Sequence, residues 1–162
     1  MRKIVSMLLV AVLCMVMLAG CGGVNKEEHP LAVYEKNKIV AEIGMTKEQI
    51  KKVFGNGNER TDFLWEYDGI SFSFEENKVM TMGWTNKKYS DYRGISTGTS
   101  GTQKFIYFDK NLNIVPIEDV QNTTYQDRKN KVEYFIIYYY DDEGKITTIS
   151  IADYSSYVEG NI

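Results

Sequence analysis

The sequence predicts an α+β fold built from two repeats, each a short helix followed by an antiparallel β-meander, with the helices packed on one sheet face. Three observations predict it. A capped amphipathic helix heads the folded part, strands of two-residue alternation follow it, and the same order of signals returns in weaker form further along. Residues 39–160 are expected to form one domain, with repeats at about 41–88 and 92–154.

Residues 1–20 read as a lipoprotein signal peptide. Arg2 and Lys3 give a positive start, Ile4 to Leu18 is apolar, and the run ends in Leu18-Ala19-Gly20-Cys21. A basic start, an apolar stretch and a small-residue exit are the layout of a secretory signal. The run is short of the ~20 residues that span a bilayer. Leu-Ala-Gly-Cys resembles the lipobox of bacterial lipoproteins, which implies cleavage before Cys21 and a diacylglyceryl group on its thiol. Two acyl chains anchor stably where one does not. The resemblance thus implies a protein held by lipid at the extracytoplasmic face of the cell membrane. Residues 21–38, with Gly22-Gly23, the polar Asn25 to Glu28 and Pro30, read as a flexible tether.

Loss of residues 1–20 removes Arg2 and Lys3 but no acidic residue, so the net charge passes from −3 to −5. That balance argues against nucleic acid as a partner. Cys14 leaves with the signal and Cys21 carries lipid, so no disulfide is expected in the mature domain. With His29 as the one histidine, a His-based triad and a His or Cys metal site are not expected. The prediction is a protein without catalytic residues, metal or cofactor.

The first repeat opens on Thr46-Lys47-Glu48-Gln49, a capping box in which hydroxyl and amide satisfy each other's backbone partner. Ile50, Val53 and Phe54 share a helical face, and Gly55 stands at a left-handed stop. Strands are expected at 63–67, 70–75 and 78–84, with a tight turn at Asp68-Gly69. A three-residue loop, Glu76-Asn77-Lys78, would bring Met80, Met82 and Trp84 onto the face of Ile70, Phe72 and Phe74.

The second repeat is weaker. Ser100 and Gln103 could cap another helix, followed by Phe105, Ile106 and Phe108, although Gly98 and Gly101 oppose it. Residues 111–130 look irregular, with one short strand near Ile114 to Val120. A hairpin then runs from Val132 to Tyr140 and from Ile146 to Ala152, joined by Asp141-Asp142-Glu143-Gly144-Lys145. A type I turn with left-handed glycine would place Phe135, Ile137 and Tyr139 inside. Tyr134, Tyr138 and Tyr140 would then face outward, open or covered by loops 85–92 and 111–130.

Ile43 to Ile50, followed by Val53-Phe54-Gly55, is similar to the helix start of the small outer-membrane-assembly lipoproteins (BamE-like). The tandem arrangement resembles the β-lactamase inhibitor protein, whose two helix-plus-sheet repeats form a concave surface that grips an enzyme. The resemblance implies a protein-binding surface here. Of the residues such a surface would use, Asp68, at a hairpin tip of the first repeat, is the one candidate by position. The absence of a disulfide is a departure from the inhibitor.

The function expected is a membrane-anchored, non-enzymatic protein-binding module of the cell envelope, with an envelope protein as partner and Tyr134, Tyr138, Tyr140 and Asp68 as contacts. Exposed aromatic rows commonly mark such surfaces. An inhibitor of β-lactamase or of another enzyme is the alternative. A carboxylate-based hydrolase is a third, and it would need a deep pocket with paired buried carboxylates. Asp141, Asp142 and Glu143 read as a solvated hairpin tip rather than a calcium site. The Ser96 to Thr102 stretch reads as a helix start rather than an anion cradle, and Trp84 as core.

Overall fold

A computed structural model of the chain describes residues 24–102, 104–116 and 125–155. Among the described residues strand outweighs helix, 46% to 14%, so the α+β reading gives way to a mostly β fold. The strands are β1 (Ala32–Glu35), β2 (Lys38–Glu42), β3 (Asn58–Thr61), β4 (Leu64–Tyr67), β5 (Ile70–Glu75), β6 (Lys78–Trp84), β7 (Tyr89–Ser90), β8 (Phe105–Phe108), β9 (Ile114–Val115), β10 (Tyr134–Tyr140) and β11 (Ile146–Asp153). The helices are α1 (Lys47–Phe54) and α2 (Tyr125–Lys131). One sheet has three strands in the order β2-β1-β7; the other has eight, β3-β4-β5-β6-β11-β10-β8-β9.

The expected first helix forms as its sequence dictates. The Gln49 amide donates to Thr46 Oγ1 at 3.3 Å, and the Thr46 amide donates to Gln49 Oε1 at 2.8 Å. Ile50 is fully buried, and the Phe54 ring centroid lies 5.2 Å from those of Tyr67 and Phe72. Gly55 ends the helix at φ 76°.

A second helix of this kind does not follow Ser100. Lys104 leads straight into β8, and α2 lies instead in the segment expected to be irregular. Two glycines in five residues make a helix start costly there, about 1 kcal/mol each against alanine. The tether also differs from expectation. The segment 21–38 contains β1, in which Ala32, Val33 and Tyr34 are fully buried. Their apolar run pairs with β2 on one side and β7 on the other.

What the two halves do share is a supporting contact. The Gly44 amide donates to the Val79 carbonyl and the Val79 amide to the Met45 carbonyl, both at 2.8 Å. In the second half the Gly98 amide donates to the Ile146 carbonyl at 2.7 Å and the Ile146 amide to the Thr99 carbonyl at 3.0 Å. Both glycines hold φ near 85°, at 87° and 85°. The last strands of the two halves, β6 and β11, then pair antiparallel at the centre of the large sheet, Met82 beside Ile151 and Trp84 beside Ile149.

Both hairpins carry a bulge that the sequence reading did not include. The β5–β6 turn has two residues, not three: Glu75 pairs with Lys78, and Glu76 and Asn77 adopt φ of 46° and 71°. Such a turn alone would put Met82 and Trp84 out of phase with Phe72. Instead Phe74 pairs with Val79 and Ser73 with Thr81, leaving Met80 as the extra residue. Val79, Met82 and Trp84 therefore reach the core. In the second hairpin Tyr140 pairs with Ile146 and Tyr139 with Thr148, so Thr147 is extra. That slip of one residue reverses every face expected for β10. Ile136 and Tyr138 join Ile149 and Ile151 in the main core, while Phe135 and Ile137 turn to the opposite face.

Candidate functional site

The expected tyrosine surface is corrected by this register. Tyr138 is 3% exposed and Tyr139 is 43% exposed, the reverse of the prediction. Tyr134 and Tyr140 are half-buried on the core side with Tyr138. Asp68 does stand at an exposed tip, between β4 and β5, with Lys88 Nζ 3.6 Å and Asn86 Nδ2 3.5 Å from Oδ2. It is far from the tyrosines in the strand order. Cys21 lies outside the described residues.

With Phe72, Met82 and Ile151 turned to the core, the alternate residues make an outer face. One row across the strands runs Glu66, Ser71, Gly83, Ser150, Ile137, Phe105. The next runs Leu64, Ser73, Thr81, Ala152, Phe135, Tyr107. The first half of this face is a shelf of half-buried Ser71, Ser73, Thr81, Gly83 and Ser150. A Cβ at Gly83 would come 3.1 Å from Ser150 Oγ, so glycine keeps the shelf low. Towards β10 and β8 the face becomes aromatic. Phe105 and Tyr107 stack at 5.9 Å, and Phe135 meets Tyr154 edge-on at 6.1 Å. Val132, Phe135, Ile137, Ala152 and Tyr154 form a second, smaller core there.

The polar feature that the sequence reading missed is Asp91, 0% exposed in the connection between β7 and β8. Its carboxylate closes a five-residue loop. The Arg93 and Ile95 amides donate to Oδ1 at 2.9 and 2.8 Å, and Gly94 turns with φ 83°. Asp109 and Asp141 close loops of the same kind. Asp109 Oδ1 accepts from the Asn111 and Asn113 amides, and Asp141 Oδ1 from the Glu143 and Lys145 amides. The expected solvated tip at Asp141 is exposed, and it is also a self-closed turn. Only at Asp91 is the second oxygen also taken up within the core. Tyr138 Oη donates to Oδ2 at 2.5 Å, Arg93 Nε lies 3.6 Å from it, and Arg93 Nη2 donates to Tyr138 Oη at 2.7 Å. Burial, then the Asp91 charge, raises the Tyr138 phenol well above its usual range. Tyr34, buried nearby, is pushed up to about 12 by burial first and then by Glu42 and Asp91. A signal for this loop was present: Asp91-Tyr92-Arg93-Gly94-Ile95 has the same Asp-x-x-Gly spacing as Asp141 to Lys145.

The arrangement offers a structural carboxylate: among the described residues the partners of Asp91 are its own loop amides, Tyr138 and Arg93. Among the described residues no group of three or more His, Cys, Asp or Glu could hold a metal ion. Among them, too, no helix is long and apolar enough to cross a membrane.

No family model matches the chain, and no curated protein matches it. Two solved structures do. One is an extracellular protein containing an SCP domain from Bacillus anthracis str. Ames, at 13% identity and a TM-score of 0.46, covering 77% of this chain and 51% of that one. The other is a cysteine-rich secretory protein from Staphylococcus aureus subsp. aureus Mu50, at 11% identity and a TM-score of 0.46, covering 83% of this chain and 50% of that one. The chain thus spans about half the length of the structures it matches. The expected likeness to the β-lactamase inhibitor protein and to BamE-like lipoproteins is corrected: the matched structures are of the SCP type, and the described residues hold no second helix-plus-meander unit. An overlap of 0.46 is too partial to lend this chain a role.

Proposed function

We propose that this protein is a lipid-anchored, non-enzymatic protein-binding module at the extracytoplasmic face of the cell membrane. The anchor rests on Leu18-Ala19-Gly20-Cys21 behind an apolar run with a basic start. The single observation that carries the binding role is the outer sheet face. Its central strands β5, β6 and β11 offer a low shelf of Ser71, Ser73, Thr81, Gly83 and Ser150, with no formal charge among them. A neutral stretch of sheet face suits the dehydrated centre of a protein contact, where charged groups are depleted. The exposed Phe105 and Tyr139 rings rise at one side of it, the aromatic type that anchors contacts. This shelf replaces Tyr134, Tyr138 and Tyr140 as the contact surface. An inhibitor role has no support of its own, because it rested on the likeness now corrected.

The test is site-specific photocrosslinking in intact cells with the full-length chain. A crosslinker in place of Thr81, on the shelf, is expected to give a discrete protein adduct. One in place of Lys52, exposed on α1 at the other side of the molecule, is expected to give none. Equal adducts at both positions, or none at Thr81, would overturn the binding surface. Mass spectrometry of the mature N-terminus decides the anchor separately, and an unmodified Cys21 would remove it.

A further inference from the structure

We infer that the Asp91–Tyr138–Arg93 cluster is a clasp holding a strap, the three-stranded sheet β2-β1-β7 with its connection, over the second half of the main core. The strap shares no strand pairing with the large sheet. β7 pairs with β1 through Tyr34–Ser90 and Glu35–Tyr89, and Asp91 is the next residue in the chain. The connection is tied at its start, where the Thr85 amide donates to the Gly69 carbonyl at 3.0 Å, and again where the Gly98 amide donates to the Ile146 carbonyl at 2.7 Å. Between those ties Tyr89 packs on Phe54 and Tyr92 on Phe108, and the charged side chain that is fully buried there is the Asp91 carboxylate. Tyr138 meets it from the middle of β10 at 2.5 Å, and Arg93 bridges both groups.

The two exposed Asp loops show what the backbone alone requires. Asp109 and Asp141 close turns of the same kind, and among the described residues no core tyrosine hydroxyl bonds to either. The Asp91 loop is closed by its own Oδ1 bonds in the same way, so its Oδ2 contacts are not needed to make the turn. They join the turn to the sheet. Loss of that joint should free β7, and through β7 the N-terminal strand β1, while the ladder β6–β11–β10 keeps its own hydrogen bonds. A sub-global opening of this kind is a distinct cooperative unit with its own free energy.

Native-state hydrogen exchange on the folded protein tests this. Tyr138→Phe removes one buried hydroxyl and keeps the ring. It is expected to speed exchange of the amides in 32–42 and 89–90 by about ten- to a hundredfold, the range for one hydrogen bond to a charged group. Amides 82–84 and 149–151 should stay within about twofold. Asp91→Asn should give the same regional pattern, and the double variant should be no faster than the faster single. Asp141→Ala, in the equivalent loop, should leave 32–42 unchanged. A uniform rise over strap and ladder, no rise in 32–42, or additive effects of the two substitutions would each overturn the clasp.

Discussion

A phenol buried beside a carboxylate resists ionisation, because the tyrosinate would be both desolvated and repelled. Tyr34 and Tyr138 are both in this position around Asp91. The folded-state value is raised above the unfolded one, so the neutral phenol carries the stability. For Tyr34 that contribution is present below pH 10 and is lost as pH rises from 10 to about 12. Urea melts over this window should show stability falling with pH. The fall should be shallower in Tyr34→Phe, whose ring cannot ionise. An equal slope in both proteins would mean that Tyr34 ionises as freely folded as unfolded. At this scale the residue types were legible in the sequence and their facing was not. Tyr138 and Tyr139 are adjacent and chemically identical, and only the register, set by Thr147, assigns one to the core and the other to water.

Elements with a chemical start and stop were the easiest to read. Thr46, Gln49 and Gly55 bound α1 because each satisfies a specific end of the helix ladder, and that logic is local. The hairpins were harder, because a bulge has no distinctive residue at either Met80 or Thr147. It shows instead as a spacing. Val79 and Met82 are both buried three apart, as are Ile146 and Ile149, where a regular strand would bury residues two apart. This makes a test by deletion possible. Removing Met80 leaves Val79 beside Thr81, which already pair with Phe74 and Ser73, so the ladder becomes regular and every face is kept. The expected cost is no more than about 2 kcal/mol. Removing Gly83 instead turns Trp84, 1% exposed, to the outer face and breaks the β6–β11 register. Urea melts should show a cooperative transition for the first variant and none for the second. The opposite ranking would mean that Met80 is not the extra residue.

For the whole molecule, the sequence led to two helix-plus-meander repeats, which the mostly β fold corrects: the supports at Gly44 and Gly98 are alike, yet β8 stands where the second helix was expected. What the sequence did not show is what covers the second half. With no second α1, the Asp91 connection and the strands β1 and β2 meet that need, and their sequence was masked by its polar, proline-containing approach. Leu31, Val33 and Tyr34 each look unremarkable in a stretch beginning Asn25-Lys26-Glu27-Glu28, yet they are 5%, 0% and 0% exposed. Shortening the chain separates a spacer from a structural strand. A chain starting at Val24 keeps all three side chains and should melt as the mature protein does. A chain starting at Ile39 loses all three, and burial of side chains of this size contributes about 1.5–3 kcal/mol each. The loss is then of the order of 5 kcal/mol or more, against a total of about 5–15 kcal/mol for a domain. The shorter chain should therefore keep at most a marginal sheet, with a far lower urea midpoint and exposed apolar surface that binds hydrophobic dye. An unchanged midpoint would mean that residues 24–38 are a tether after all.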